Sequence, residues 1–128
     1  MIMEGEIKRF GEGGEKDFLE LLTTVNPGLV VVDLLTKLKR SGADYQDEYR
    51  AFSELKEVCS TNDADCLALH HTKKSTAHES DDPVEMFLGS TALAGVPDNL
   101  MLMRKSSNLT KLLTKGRLIP SSEKTYAF

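Results

Sequence analysis

The chain has 128 residues, 40% of them hydrophobic and 28% charged, with a formal net charge of −4. That length suits one small domain able to bury a core without metals or cross-links, and the composition is that of a globular chain. No apolar run approaches the roughly 20 residues of a membrane helix, and the opening "MIMEGEIKRF" lacks the long apolar stretch of a secretory signal, so the expected setting is the cytoplasm, away from membranes.

In chain order, "EIKRF" (Glu6 to Phe10) reads as a short strand and Gly11 to Gly14 as a turn. "EKDFLELLTTV" then places Phe18, Leu21, Leu22 and Val25 on one helical face, with acids at the start where the helix dipole favours them. Asn26, Pro27 and Gly28 end that helix. "LVVVDLL" is a continuous, β-branched run ending in a carboxylate, the pattern of a parallel strand buried on both faces. Residues 36 to 42 are polar and basic. Tyr45, Tyr49, Phe52, Leu55 and Cys59 then recur at helical spacing, which predicts a second amphipathic helix to about Thr61.

After the turn "NDAD" comes "CLALHHTKK", in which a strand over Cys66 to Leu69 runs out into two histidines and two lysines. Thr72 to Pro83 is a long polar segment, and Pro83 suits the first position of a short helix, "VEMFL". The small-residue stretch "GSTALAG" allows close packing; "NLMLMR" (Asn99 to Arg104), "LTKLLTK" and "KTYAF" read as three further strands. The expected fold is therefore α/β: a mainly parallel sheet flanked by helices, closed by a C-terminal antiparallel hairpin. Cys59 and Cys66 are spaced unlike a zinc knuckle or a redox pair and read as reduced core or near-core thiols.

Charge is unevenly spread. Residues 1 to 103 hold 10 Lys/Arg against 19 Asp/Glu, a net of −9, whereas residues 104 to 128 hold 6 against 1, a net of +5. A basic tail on an acidic body suits a nucleic-acid contact, a solvated hairpin or a subunit contact.

Three groups could carry chemistry. Asp33, at the carboxyl end of an apolar strand, falls on the rim where open α/β sheets place ligands; the plain alternative is a carboxylate capping the next turn. His70 and His71 stand at the end of the next strand, where an imidazole could donate to a phosphoryl oxygen; adjacent strand residues point to opposite faces, so the two do not readily share one metal. Lys37, Lys39 and Arg40 in one loop, with Lys73 and Lys74 in the next, would meet on one rim and suit a polyanion, or simply be solvated.

Taken together, "GLVVVDLL", "YRAFSELKEV", "CLALHHTKK" and "DDPVEMFLGSTALAGVPDNLMLMRK" resemble, in order and spacing, the RecA-like ATPases of the RepA type, the hexameric replicative helicases with their phage and plasmid relatives. The resemblance covers about residues 5 to 128 and implies a single, incomplete RecA-like (P-loop NTPase-type) domain over 1 to 128. It places Asp33 on the Walker B aspartate that polarises the water shell of Mg²⁺, His71 or His70 on the polar sensor, and Lys73 on the basic position beyond. Loops 36 to 44 and 72 to 88 fall on the two DNA-touching channel loops. Arg104 and Lys105 fall where a cation reaches a neighbouring subunit's phosphate.

The same resemblance implies ATP and Mg²⁺ as cofactors, and as partners DNA and either a missing N-terminal half or further copies of the chain. Yet no G-x-x-x-x-G-K-[ST] is present: "GEGGEKDF" lacks the Gly-Lys-Ser/Thr ending, and no apolar strand precedes it. The chain thus looks like the second half of such a domain, without the phosphate cradle and the upstream catalytic glutamate, and inactive in ATP hydrolysis alone. A non-catalytic module that kept the sheet to bind DNA or a protein is the alternative, and a metal-dependent hydrolase using Asp33, His70, His71 and His78 is a third.

The P-loop strand of this family would stand between Cys66 to Leu69 and Asn99 to Arg104. Without it, Asn99 to Arg104 is expected to close against Cys66 to Leu69, or else a second chain adds a strand there.

Overall fold

The computed structural model describes residues 7–38, 42, 44–71, 95–106, 108–117 and 119–127. The chain divides into two compact units, Met1–His71 and Thr72–Phe128. No helix among the described residues is long and apolar enough to cross a membrane.

The first unit runs α1 (Gly14–Val25), β1 (Leu29–Val32), a single 3₁₀ turn (Leu35–Lys37), α2 (Tyr45–Thr61) and β2 (Asp65–Ala68). Helix α1 starts from Gly13 in the left-handed region and stops at Asn26, whose left-handed backbone lets its N–H return to the Leu22 carbonyl. Glu15 and Asp17 occupy its first turn. Gly14 must be glycine, since a Cβ there would lie 2.0 Å from the Lys8 carbonyl oxygen. Helix α2 is capped by Asp44, whose carboxylate accepts from the Asp47 N–H at 2.9 Å.

Phe10, Phe18, Leu22, Leu35, Ala51, Phe52, Leu55, Cys59 and Ala64 form the apolar core of this unit. Full burial of each Phe or Leu among them contributes about 1.5–3 kcal/mol. The rings of Phe10 and Phe18 meet edge to face with centroids 5.9 Å apart. Ala51, rather than Tyr49, completes the buried face of α2; Tyr49 is exposed.

Of the expected strand Glu6 to Phe10, Glu6 lies outside the described residues, while residues 7–9 have no regular structure and Phe10 opens a turn. The Arg9 carbonyl accepts from the amides of both Glu12 and Gly14, and Phe10 N–H donates to the Leu38 carbonyl at 2.8 Å. Those bonds commit the segment to entering α1, leaving no ladder for it to join.

Strands β1 and β2 pair in parallel, from Leu29 opposite Asp65 to Val32 opposite Ala68. Among the described residues they form a two-stranded sheet. The described strands are therefore not mainly parallel: one parallel pair makes up the first sheet, and the other three strands form a separate antiparallel sheet. Nor is β1 buried on both faces. Val30 and Val32 are half-buried while Leu29 and Val31 are 57% and 54% exposed.

In the second unit β3 (Asn99–Ser106), β4 (Leu109–Gly116) and β5 (Ser122–Ala127) form an antiparallel meander in the order β3-β4-β5. Leu102 lies opposite Leu113, and both are buried, as is Val96. Met101 and Met103 occupy the other face of β3 and are exposed. The Thr114 and Ser122 hydroxyls, on facing residues, are 2.7 Å apart. Lys111 pairs diagonally with Glu123 at 2.9 Å. Arg117 reaches the Asp98 carboxylate at 3.6 Å and donates to the Gly95 carbonyl. The predicted terminal hairpin is present, extended to three strands.

Asn99 to Arg104 does not close against Cys66 to Leu69. Strand β3 pairs with β4 in its own sheet, and β2 pairs with β1 alone among the described residues. A tight turn brings β3 and β4 together from Ser106 opposite Leu109, so local pairing satisfies β3 at far smaller loop-closure cost than a distant strand. Strand β2, four residues long and starting at Asp65, has the shortness and flanking charge with which edge strands discourage association.

Candidate functional site

The carboxyl ends of β1 and β2 form one rim. Beyond the ladder, Leu69 N–H donates to the Val32 carbonyl, and the Leu69 carbonyl accepts from Leu35 N–H, each at 2.9 Å. These two bonds bracket Asp33 and Leu34, which are joined by a cis peptide. Asp33 is exposed just past β1; past β2, His70 is half-buried and His71 exposed. Both expected strand-end groups therefore lie at the same end of one parallel pair, and His70 is the more enclosed of the two imidazoles.

Lys37 ends the 3₁₀ turn that follows Asp33 and is exposed. Lys39, Arg40, Lys73, Lys74 and His78 lie outside the described residues, as do all of "DDPVEMFL" and all of "GSTALAG" but Gly95. Arg104 and Lys105 stand in the second unit near the end of β3, opposite Lys111 and Thr110. Arg104 is half-buried and Lys105 exposed.

No group of three His, Cys, Asp or Glu able to hold a metal occurs among the described residues. Asp33 is exposed, and a lone carboxylate of this kind would hold a hydrated Mg²⁺ through its waters rather than enclose it. A triphosphate does not fit in the same way. Phosphate cradles need several backbone amides free to converge, and in the glycine-rich turn those amides are engaged: Gly11 N–H by the Glu15 carboxylate, Glu12 and Gly14 N–H by the Arg9 carbonyl.

The periodic reading of α1 and α2 did not reveal a polar cleft of about 200 Å³ lined by Phe10, Gly11, Glu15, Asp47, Arg50 and Glu54. Burial alone would raise the Glu15 carboxyl, but hydrogen bonds donated by the Gly11 amide, its own amide and the Gly13 amide outweigh it and hold the group below its ordinary value. Arg50 and Glu54 pair at 2.8 Å one helical turn apart, a spacing visible in the sequence. Its conjunction with Glu15 was not, because Glu15 belongs to the other helix.

No protein-family model and no curated protein matches this chain.

Proposed function

We propose that this chain provides the Walker B, sensor and DNA-loop portion of a RecA-like ATPase core of the RepA type, working in the cytoplasm on DNA. In this reading Asp33 holds the water shell of Mg²⁺, His70 or His71 senses the terminal phosphate, and Lys37, Lys39, Arg40, Lys73 and Lys74 contact the DNA backbone. The phosphate cradle for ATP comes from another polypeptide segment, since the glycine-rich turn here is filled by its own glutamate. Arg104 and Lys105 serve a neighbouring nucleotide. The observation that supports this best is the parallel pairing of β1 with β2, with an acid following one strand and imidazoles following the other.

A nuclear magnetic resonance titration with Mg²⁺–ADP at millimolar concentration tests it. Weak amide shifts concentrated at Asp33, Thr36, His70 and His71, and lost in Asp33→Asn, are expected. Shifts confined to Gly11–Lys16, or none at saturating nucleotide, count against it.

The second reading is a non-catalytic DNA-binding module. It draws on the separate antiparallel sheet, where Arg104, Lys105, Lys111, Lys115 and Lys124 lie on three adjacent strands. In that case oligonucleotide shifts the β3–β5 amides while nucleotide leaves the Asp33 rim unmoved.

A further inference from the structure

Cys59 and Cys66 read in the sequence as two independent thiols, yet the fold brings them together. Cys59 sits in the last turn of α2 and is buried; Cys66 is the second residue of β2 and is exposed. Two backbone bonds make the approach possible. The Cys59 carbonyl accepts from Asn62 N–H at 3.1 Å and from Ala64 N–H at 3.0 Å, folding the chain back on itself directly before β2. In the parallel register Cys66 lies opposite Val30, and Val30 is on the half-buried side of the sheet. Cys66 thus shares the sheet face of the half-buried Val30, next to the end of α2, and each thiol alters the ionisation of the other. Cys66 counts as exposed despite this proximity, as a residue of a strand with one paired neighbour can.

We propose that Cys59 and Cys66 form a thiol–disulfide site that reacts with low-molecular-weight disulfides of the glutathione class, closing a covalent link between the end of α2 and β2. Cys66 is the entry thiol and Cys59 the resolving one.

The chemistry follows from the asymmetry of the pair. Cys59 keeps its proton. Interaction with the Cys66 sulfur, reinforced by burial and by the Cys66 charge, pushes the Cys59 thiol up. The same interaction draws Cys66 down against the opposing effect of its own burial, so the accessible sulfur has the greater thiolate character. The Cys66 thiolate attacks one sulfur of oxidised glutathione; the glutathione S–S bond breaks, and one glutathione leaves as a thiolate that takes up a proton. Once Cys66 is a mixed disulfide it is no longer an anion, and its hold on the Cys59 proton ends. Cys59 then loses that proton to water and attacks the Cys66 sulfur, and the second glutathione leaves. Two protein thiols have been oxidised by two electrons and one glutathione disulfide reduced to two thiols. The link would fix the start of β2, the strand whose far end carries Leu69 and His70.

The test equilibrates the intact chain with an excess of oxidised glutathione, quenches with acid, and reads intact mass, titratable thiols in denaturant and the peptide map. The expected result is loss of both thiols, a mass lower by two hydrogens with no retained glutathione, a Cys59–Cys66 linked peptide, and full reversal by dithiothreitol. Cys59→Ala should instead retain one glutathione on Cys66, and Cys66→Ser should remain unmodified while folded. Circular dichroism verifies that each variant is folded; if Cys59→Ala is not, the wild-type mass and peptide map decide alone. A persistent glutathione adduct on the wild type, disulfide-linked dimers, or two thiols still titratable after equilibration overturns the proposal.

Discussion

The carboxylate of Glu15 accepts a hydrogen bond from the amide of Gly11, so the glycine-rich turn that resembles a phosphate loop in composition already holds an anion of its own. Incoming phosphate would have to displace a charged side chain held by three backbone amides.

Hydrolysis of ATP by the chain alone is accordingly expected to stay below about 1 s⁻¹, the low end of common enzyme rates. A coupled ADP-release assay with and without DNA measures this. Turnover above that level that disappears in Asp33→Asn would mean that the Gly11–Lys16 turn rearranges into a working cradle.

Glu15 also gives the fold a pH signature. Its carboxyl titrates below the ordinary value of 4.5 when folded, so the unfolded chain binds its proton first as pH falls. The resulting stabilisation is present above about pH 4.5 and is lost as pH drops through the lower folded value. Because the group is half-exposed, solvent screening keeps the effect under about 1 kcal/mol. Urea midpoints across this range should fall more steeply for the wild type than for Glu15→Gln, and parallel curves would contradict the assignment.

Nucleic-acid binding, where it occurs, should be weak and governed by phosphates. Lys37, Lys39, Arg40, Lys73 and Lys74 have no set of aromatic platforms beside them in the sequence; without the roughly 1–3 kcal/mol per base that stacking adds, the salt-dependent phosphate contacts dominate. Fluorescence anisotropy with a short single-stranded oligonucleotide should show log K falling linearly with log salt, and replacement of all five residues by Ala should abolish binding. Salt-indifferent affinity would point to a different surface.

Two substitutions separate core from cap. Phe18→Ala removes a ring that packs against Phe10 in the centre of the first unit and is expected to cost about 3–5 kcal/mol. Asp44→Ala removes the single side-chain cap of α2 and should cost about 1 kcal/mol. Chemical denaturation followed by far-ultraviolet circular dichroism distinguishes them, and a cap loss as large as the core loss would show that α2 is held mainly at its first turn.

The helices were legible because their apolar spacing is a local property: Phe18 with Leu22, and Phe52 with Leu55 and Cys59, are buried as their periodicity requires. Strands β1 to β5 were legible too, each within a few residues of its apolar or alternating run. Sheet membership was not, since a strand's sequence does not state which neighbour it will find. "NLMLMR" carries enough apolar residues to stand beside β2, yet Ser106 and Leu109 are close enough in the chain to settle its pairing with β4. The candidate rim was half legible. Asp33 and the histidines follow from strand ends, but the preference for His70 over His71 as the enclosed imidazole depends on burial. The Cys59–Cys66 proximity depends on a reversal at Asn62 and Ala64 that separation in sequence alone does not disclose.

The parallel pairing of β1 with β2 has a consequence for the order of folding. Leu29 meets Asp65 only after all of α2 has been laid down between them, whereas β3, β4 and β5 meet through successive short reversals. Contacts between distant chain segments pay their closure entropy before they yield any stabilisation, so of the two described sheets the meander is expected to assemble first and the pair that carries the Asp33–His70 rim later. During synthesis from the N-terminus, the rim also waits for the chain to reach β2, leaving Asp33 without its neighbouring strand until α2 has emerged and folded back.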